Sequence, residues 1–540
     1  MKGIEVGYII KEASPEHFYF VIDPSKRNLV SIGGILKIYI DEIPYFALIE
    51  DISSVAMEEE RLFEYKAIEY LYGKLKKPQY MICGKAIFIG CIRNGVVLSE
   101  KPQIPPLPGD RIYIPSEDEM EKLYSFEDKR LVVPIGKINL LKKEYDIYLK
   151  IKELVIRHTG IFGITGSGKS TTVAHLVKEL TNKNIPVVIF DIHRDYIASF
   201  DNVIIITFDE KEKKFLESVL SERGLKGKVV VGKFKPRILK DYVEEILGVS
   251  GKQAVHVFKL LSKLLSLEPE TIRELLDWLD EKTSNSKVNN ILRNTKETTI
   301  ESLKARLYRV SDWRLFRRNV EDSGEDLLYL MDKIMDDLRV GTTKMEEDFS
   351  FDGEEVIMKT VESKVNVVII DMYPLSIEEQ RMLLDILLES VYTKYKRWKF
   401  EGNADVLGIV IEEAHRFASK DVKTSTKISL IAREGRKFGL GLILVSQIPS
   451  KIQEDIISQI NTFLLLKIIN PRDLEFIRKT CPYLSKEYFE ALTKLETGKC
   501  LIVGLAAKNP AIVKIIKDVE VGGAEEDIEK RIVERALQMR

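Results

Sequence analysis

The sequence predicts an α/β fold: a helix-covered parallel sheet interrupted by a helical insertion and preceded by a small N-terminal β-barrel. Three observations carry this. Short apolar runs, Ile185 to Phe190, Val365 to Ile370, Val406 to Ile411 and Leu440 to Val445, alternate with amphipathic stretches and end in polar residues, as strands buried on both faces do. Between residues 210 and 360 the alternation gives way to helical periodicity. Residues 3 to about 115 carry brief aromatic and β-branched runs split by turn signals, the pattern of a small barrel.

Bulk properties bound the answer. A chain of 540 residues, 45% hydrophobic and 31% charged, is globular and holds about three domains. Net charge is −1, so no global field draws it to nucleic acid, and any such contact must come from a local patch or from assembly. Four scattered cysteines, Cys83, Cys91, Cys481 and Cys500, form no CxxC pair; a zinc site and a disulfide framework are not signalled, and a reducing, cytoplasmic setting is expected. The N-terminus lacks a signal-peptide core, and no apolar run approaches the 18 or so residues of a membrane span.

In chain order, residues 1–150 read as barrel plus linker. His17 to Ile22 and Ile35 to Ile40 are strand-like, Arg93-Asn94-Gly95 is a hairpin signal, and Pro102 to Gly109 is a stiff turn before a strand at Arg111 to Ile114. Residues 57 to 75 are either a helix or an irregular excursion. The linker, 116 to 150, carries more strand.

The core opens at residues 151–209. A strand at Ile161 to Ile164 breaks into Gly163-x-x-x-x-Gly168-Lys169-Ser170 and then a helix with Val173, Leu176, Val177 and Leu180 on one face. Glycines let backbone N–H groups wrap phosphate oxygens, and the helix N-terminus adds its dipole. Gly166, Ser167, Gly168, Lys169, Ser170 and Thr171 are thus the candidate phosphate cradle, with Lys169 on the β- and γ-phosphates and Ser170 on Mg²⁺. ATP and Mg²⁺ are the ligands implied. Asp191, ending the next apolar run, points to the nucleotide edge or caps a turn with His193.

Residues 210–360 are read as a helical insertion. Within it Lys304, Arg306, Arg309, Arg314, Arg317 and Arg318 interleave with Tyr308, Trp313 and Phe316, either a nucleic-acid contact or a solvated basic face over core aromatics. The core resumes over 361–510. An apolar strand ending in Glu412-Glu413 supplies the second half of the site: one carboxylate orients Mg²⁺, the other polarises the attacking water. Gln447, at the tip of the strand Leu440 to Val445, senses the γ-phosphate or caps a loop. Residues 511–540 form a tail whose end, 524–540, reads as a charged amphipathic helix.

Several separated motifs resemble the HerA branch of the HerA–FtsK ATPases. They are Arg157-His158 through Ser170, Asp191-Ile-His193, Ile411-Glu-Glu-Ala-His-Arg-Phe417, Gly435 through Gln447 and Val521-Gly-Gly523, in the family's order. The barrel segments Val6-Gly-Tyr and Pro106-Leu-Pro-Gly109 are similar too. The resemblance implies a RecA-like P-loop ATPase core in a hexameric DNA translocase or helicase, working with a NurA-like nuclease in DNA end resection and recombinational repair. By position it makes Glu413 the residue that activates water, Gln447 the γ-phosphate reader and Arg157 an arginine acting on a neighbour's nucleotide. Arg436, or else Arg433, is a second arginine at that interface. The sequence departs at Arg194-Asp195, where the family has Gly-Glu. Two other readings stand beside it: a nucleotide-gated scaffold recruiting a nuclease, and a motor of the conjugation or secretion kind.

Overall fold

The computed structural model describes residues 3–56, 80–93, 95–98, 100–126, 128–140, 143–248, 251–280, 283–317, 324–340, 366–482 and 486–522. The expectations for 57–75, Asn94, Arg318, Gly523 and 524–540, and part of those for 210–360, lie outside them.

Seven strands build the N-terminal sheet: β1 (Ile4–Ala13), β2 (His17–Ile22), β3 (Ile35–Ile40), β4 (Ile43–Ala56), β5 (Tyr80–Arg93), β6 (Val96–Leu98) and β7 (Arg111–Ile114). In the order β2-β1-β7-β3-β4-β5 they close through antiparallel pairing of β2 with β5, and β6 hangs on β5. The inward set includes Val6, Phe18, Phe20, Leu36, Ile38, Phe88 and Ile112, so the apolar pattern fills a closed barrel that has no bare edge. Helix α1 (Glu117–Tyr124), started by a Ser116–Glu119 capping box, leads out of it.

The rest of the chain centres on one sheet of 13 strands among the described residues. They are β8 (Val132–Leu140), β9 (Lys143–Lys150), β10 (Thr159–Phe162), β11 (Val187–Asp191), β12 (Val203–Thr207), β13 (Gly227–Lys233), β14 (Glu325–Asp326), β15 (Val367–Asp371), β16 (Leu407–Ile411), β17 (Leu440–Ser446), β18 (Thr462–Leu465), β19 (Lys499–Gly504) and β20 (Ala511–Ile515). The run β14-β13-β12-β15-β11-β16-β17-β10-β18 is parallel throughout. Then β19, β20, β8 and β9 add an antiparallel flank. β10, β11, β15, β16 and β17 are buried along their whole length, which is why their Val/Ile-rich runs show no period of two.

Strand and helix alternate beyond residue 209, through α4 (Glu210–Glu222) and β13, before the inserted helices begin. At the other flank, strands at 132–150 and 511–515 sit in the core sheet rather than in a linker or tail. Before the P-loop comes the short α2 (Ile151–Val155), and after it α3 (Lys169–Asn182). The insertion holds α5 (Val243–Leu247), α6 (Gly251–Leu265), α7 (Ile272–Leu279), α8 (Ser286–Arg293), α9 (Glu297–Ser311) and, after β14, α10 (Leu327–Val340). The final part carries α11 (Ile377–Phe400), α12 (Thr424–Glu434), α13 (Glu454–Ile457), α14 (Pro471–Thr480) and α15 (Lys486–Leu492). Among the described residues no helix is long and apolar enough to cross a membrane.

Four cations of the insertion's basic stretch are engaged within the chain. Lys304 pairs with Asp280, Arg314 with Glu212 and Arg317 with Glu270, while Arg309 donates to the Ile246 carbonyl at 2.9 Å. Phe316 is buried against Phe234. The bland alternative fits this stretch.

Candidate active site

The loop after β10 has the shape its glycines allow. Gly166 (φ 72°) and Gly168 (φ 104°) adopt left-handed conformations, and a Cβ on Gly166 would meet nothing within 4 Å. Ser167 Oγ donates to the Ile164 carbonyl at 2.7 Å, and Lys169 Nζ donates to the same oxygen at 3.1 Å. Gly168 caps α3, so its first N–H groups face the loop; Thr171 follows Ser170 in its first turn, half-buried. Gln447, just past β17, accepts a hydrogen bond from Thr165 Oγ1 at 2.7 Å. Because β17 neighbours β10, Phe162 pairs with Ser446 and Gln447 arrives beside the loop.

The paired acids leave the end of β16, two strands from β10. Glu412 is buried, and Tyr196 Oη donates to its Oε1. Burial pushes its pKa up to about 8 against that hydrogen bond, with Asp191, Asp195 and Glu413 adding to the rise. Glu413 is the opposite case. Burial alone would raise it, but His415, Lys169 and His193 outweigh that and hold it below the usual carboxylate range. Its backbone is left-handed (φ 46°, ψ 43°), an uncommon state for a side chain of this size and one that accompanies functional constraint. His415 Nδ1 lies 3.1 Å from Glu413 Oε2 and 3.1 Å from Ser446 Oγ.

Asp191 does not face the loop. Its Oδ1 accepts the N–H groups of His193, Arg194 and Asp195, and its Oδ2 that of Tyr196. The strand-end carboxylate is thus consumed in shaping the turn, the capping alternative; burial lifts its pKa to about 7. What the turn delivers is Asp195. Ser170 Oγ donates to Asp195 Oδ2 at 2.6 Å. Sequence reasoning missed this acid; the signal was the departure from Gly-Glu at 194–195, which keeps a carboxylate at the second position.

The arginines lie at the other edge of the sheet. Arg157 precedes β10, whose four residues span roughly 13 Å before the P-loop begins. It pairs with Glu153 at 3.0 Å and is 42% exposed. Arg433, Arg436 and Lys437, ahead of β17, are exposed on the same edge. Between them His158 is buried with φ 58°. Its Nε2–H donates to the Ala432 carbonyl and its Nδ1 accepts the Leu442 N–H, both at 2.9 Å, fixing one neutral tautomer. Gly441 is obligatory here, since a Cβ would sit 1.5 Å from the Val155 carbonyl oxygen.

Residues 133–391 match the family model of the central domain of the helicase HerA. The chain is 29% identical to the DNA double-strand break repair helicase HerA of Sulfurisphaera tokodaii, over 95% of this chain and 93% of that one. It is 26% identical to a probable helicase of Methanocaldococcus jannaschii, over 96% and 92%. Among solved structures it is similar to the plasmid coupling protein TrwB in complex with a non-hydrolysable ATP analogue, at 14% identity over 76% of this chain and 94% of that one, with a TM-score of 0.46. Matched over its central domain and aligned with such relatives nearly end to end, the chain is similar to the HerA helicases.

Proposed function

We propose that this protein is an ATP-driven DNA translocase of the helicase type, acting as a homo-hexameric ring with active sites shared between protomers. One observation carries the reading. Lys169, Ser170, Glu412, Glu413 and Gln447 gather at the C-terminal edge of the parallel sheet, whereas Arg157 and Arg436 stand at its N-terminal edge. A protomer's arginines are therefore remote from its own P-loop and placed for a neighbour's, as arginines supplied in trans are.

The division of work follows. The backbone N–H groups of Gly166 to Thr171 and the Lys169 ammonium hold the phosphates of ATP, which is the substrate. Ser170, Asp195 and the buried, proton-retaining Glu412 offer oxygens of the kind Mg²⁺ takes: a cation there would compensate the burial, and the lesser repulsion from Asp191, Asp195 and Glu413, that raise Glu412. Mg²⁺ bound there would neutralise phosphate charge. Glu413, kept anionic, accepts the proton of the attacking water. Gln447, joined to Thr165, lies where a γ-phosphate would be sensed. The neighbour's Arg157 and Arg436 stabilise the charge of the transferring phosphoryl group. In the cell, we place this motor in the cytoplasm at DNA ends, resecting them for recombinational repair beside a NurA-like nuclease.

The test mixes two inactive variants. Lys169→Ala lacks the cradle cation but keeps Arg157; Arg157→Ala is the reverse. Mixed one to one, about a quarter of interfaces regain both groups, so duplex-stimulated ATPase should return although each variant alone is dead. A mixture as inactive as its parts, or a wild type whose ATPase ignores duplex DNA, would contradict the proposal.

A further inference from the structure

A cleft of about 840 Å³ opens beside the acidic pair, and the nucleotide reading leaves it unused. Its walls are the segment after β16, the segment after β17, the first turn of α11 and the face of α14. Six cations line it against three carboxylates, and one of those three, Glu475, is already engaged by Arg478 and Lys479. Arg416, Lys420, Lys451 and Arg472 have no carboxylate partner among the described residues. Arg381 Nε donates to the Arg416 carbonyl at 3.3 Å, and the Arg381 charge acts on the Arg416 guanidinium. Burial and that neighbour hold the Arg416 pKa below the ordinary arginine value, with Glu413 offsetting part of the effect. Like charges gathered and left unneutralised in a concave site call for an anionic ligand.

His415 is common to both sites. It lines the cleft, and its Nδ1 is shared between Glu413 and Ser446, the residue before Gln447. Building on the translocase reading above, we infer that this cleft holds the phosphodiester backbone of DNA and that His415 links its occupancy to the position of Glu413. Arg381 and Arg416 form the deep phosphate contact; Lys420, Lys451 and Arg472 track the backbone outward. Such contacts are indifferent to base sequence. The same elements that end in the catalytic acid and the γ-phosphate reader continue directly into the cleft wall, so a shift of either segment on DNA binding moves Glu413 or Gln447. His415 is a positioning residue: it contacts the cleft and the carboxylate.

The experiment uses the full chain and a fluorescein-labelled duplex. The double variant Lys420→Glu, Lys451→Glu reverses two exposed charges and should fold like wild type by thermal midpoint. Its duplex affinity should fall about tenfold or more, and its log Kd against log salt slope should drop by about two. His415→Gln should keep duplex Kd within about twofold while losing the DNA stimulation of kcat, a split that a merely structural residue would not give. If wild type shows no duplex stimulation, the translocase reading fails. If wild type is stimulated but the double variant binds with unchanged affinity and slope, the cleft assignment alone fails. Retained stimulation in His415→Gln overturns the coupling, and binding to polyglutamate in preference to duplex overturns the ligand.

Discussion

Ser170 Oγ and Asp195 Oδ2 are joined by a 2.6 Å hydrogen bond across 25 residues of sequence. The bond closes a chain of dependence. Asp191 gathers four backbone N–H groups, the turn they define swings Asp195 over the P-loop, and Tyr196 from the same turn reaches Glu412. The two acids expected to meet Mg²⁺ are thus held by one five-residue turn. Asp195→Asn keeps the shape and removes the charge. We expect the Mg²⁺ concentration for half-maximal ATPase to rise by at least about 10-fold, since loss of even an outer-shell partner costs that much at metal sites. A Mg²⁺ titration of ATPase that superimposes on wild type would remove Asp195 from the site.

Glu413 combines a left-handed backbone with a carboxylate kept ionised beside Lys169 and His193. Glu413→Gln retains size and its place beside His415 but cannot take a proton. Hydrolysis should fall by about 10²- to 10⁴-fold while nucleotide affinity stays near wild type. Equilibrium binding of a fluorescent ATP analogue, read beside single-turnover hydrolysis, separates these. An equal loss in both would make Glu413 a binding residue.

Much of this was legible in the sequence because it is local. Gly163 to Ser170 encodes its turn, its helix start and its lysine in eight contiguous residues, and the apolar runs before Asp191, Glu412 and Ser446 announce buried strands. What stayed hidden depends on contacts between distant residues. Nothing near Asp191 shows whether its carboxylate turns to the loop or to its own backbone; the four N–H groups decide that only once the turn is folded. His158 looks like a polar residue before a strand, yet it bridges α12 and β17. Strands β8 and β20 lie far apart in sequence, and only their pairing places β8 and β9 in the core sheet, with β9 at its edge.

Arg194 departs from the glycine that the resemblance implies at this position, and it occupies the conformation glycine would favour (φ 63°). Its side chain offsets the strain. The guanidinium grips the fully buried Asp371 at 3.0 and 2.8 Å, reaches Glu212 at 2.7 Å and lies over the Tyr373 ring. Arg194→Ala keeps the strained backbone and strands a buried carboxylate, a loss of about 3 kcal/mol. Adding Asp371→Asn removes the orphaned charge and should recover part of it. Thermal midpoints of the two variants report the difference, and a double variant no more stable than the single would refute the pairing as the cause.

His158 predicts a pH signature in stability. Burial, helped by the nearby Arg436 charge and opposed by the Ala432 carbonyl, lowers its pKa from 6.5 to about 4. The native state holds the ring neutral, with Nδ1 committed as an acceptor from Leu442 N–H. A depressed folded pKa means that the unfolded chain binds the proton more readily. The contribution is therefore whole above pH 6.5 and drains away as pH falls toward 4, by on the order of 3 kcal/mol in full. Loss of the neutral ring would unpin Arg157 and α12 together, so ATPase of the assembled protein should fall in the same window. Asn in place of His158 has no proton to gain: His158→Asn should be less stable at pH 7.5, yet lose less than wild type on going to pH 4.5. Parallel thermal-midpoint curves for the two proteins across that range would assign the acid sensitivity to other groups.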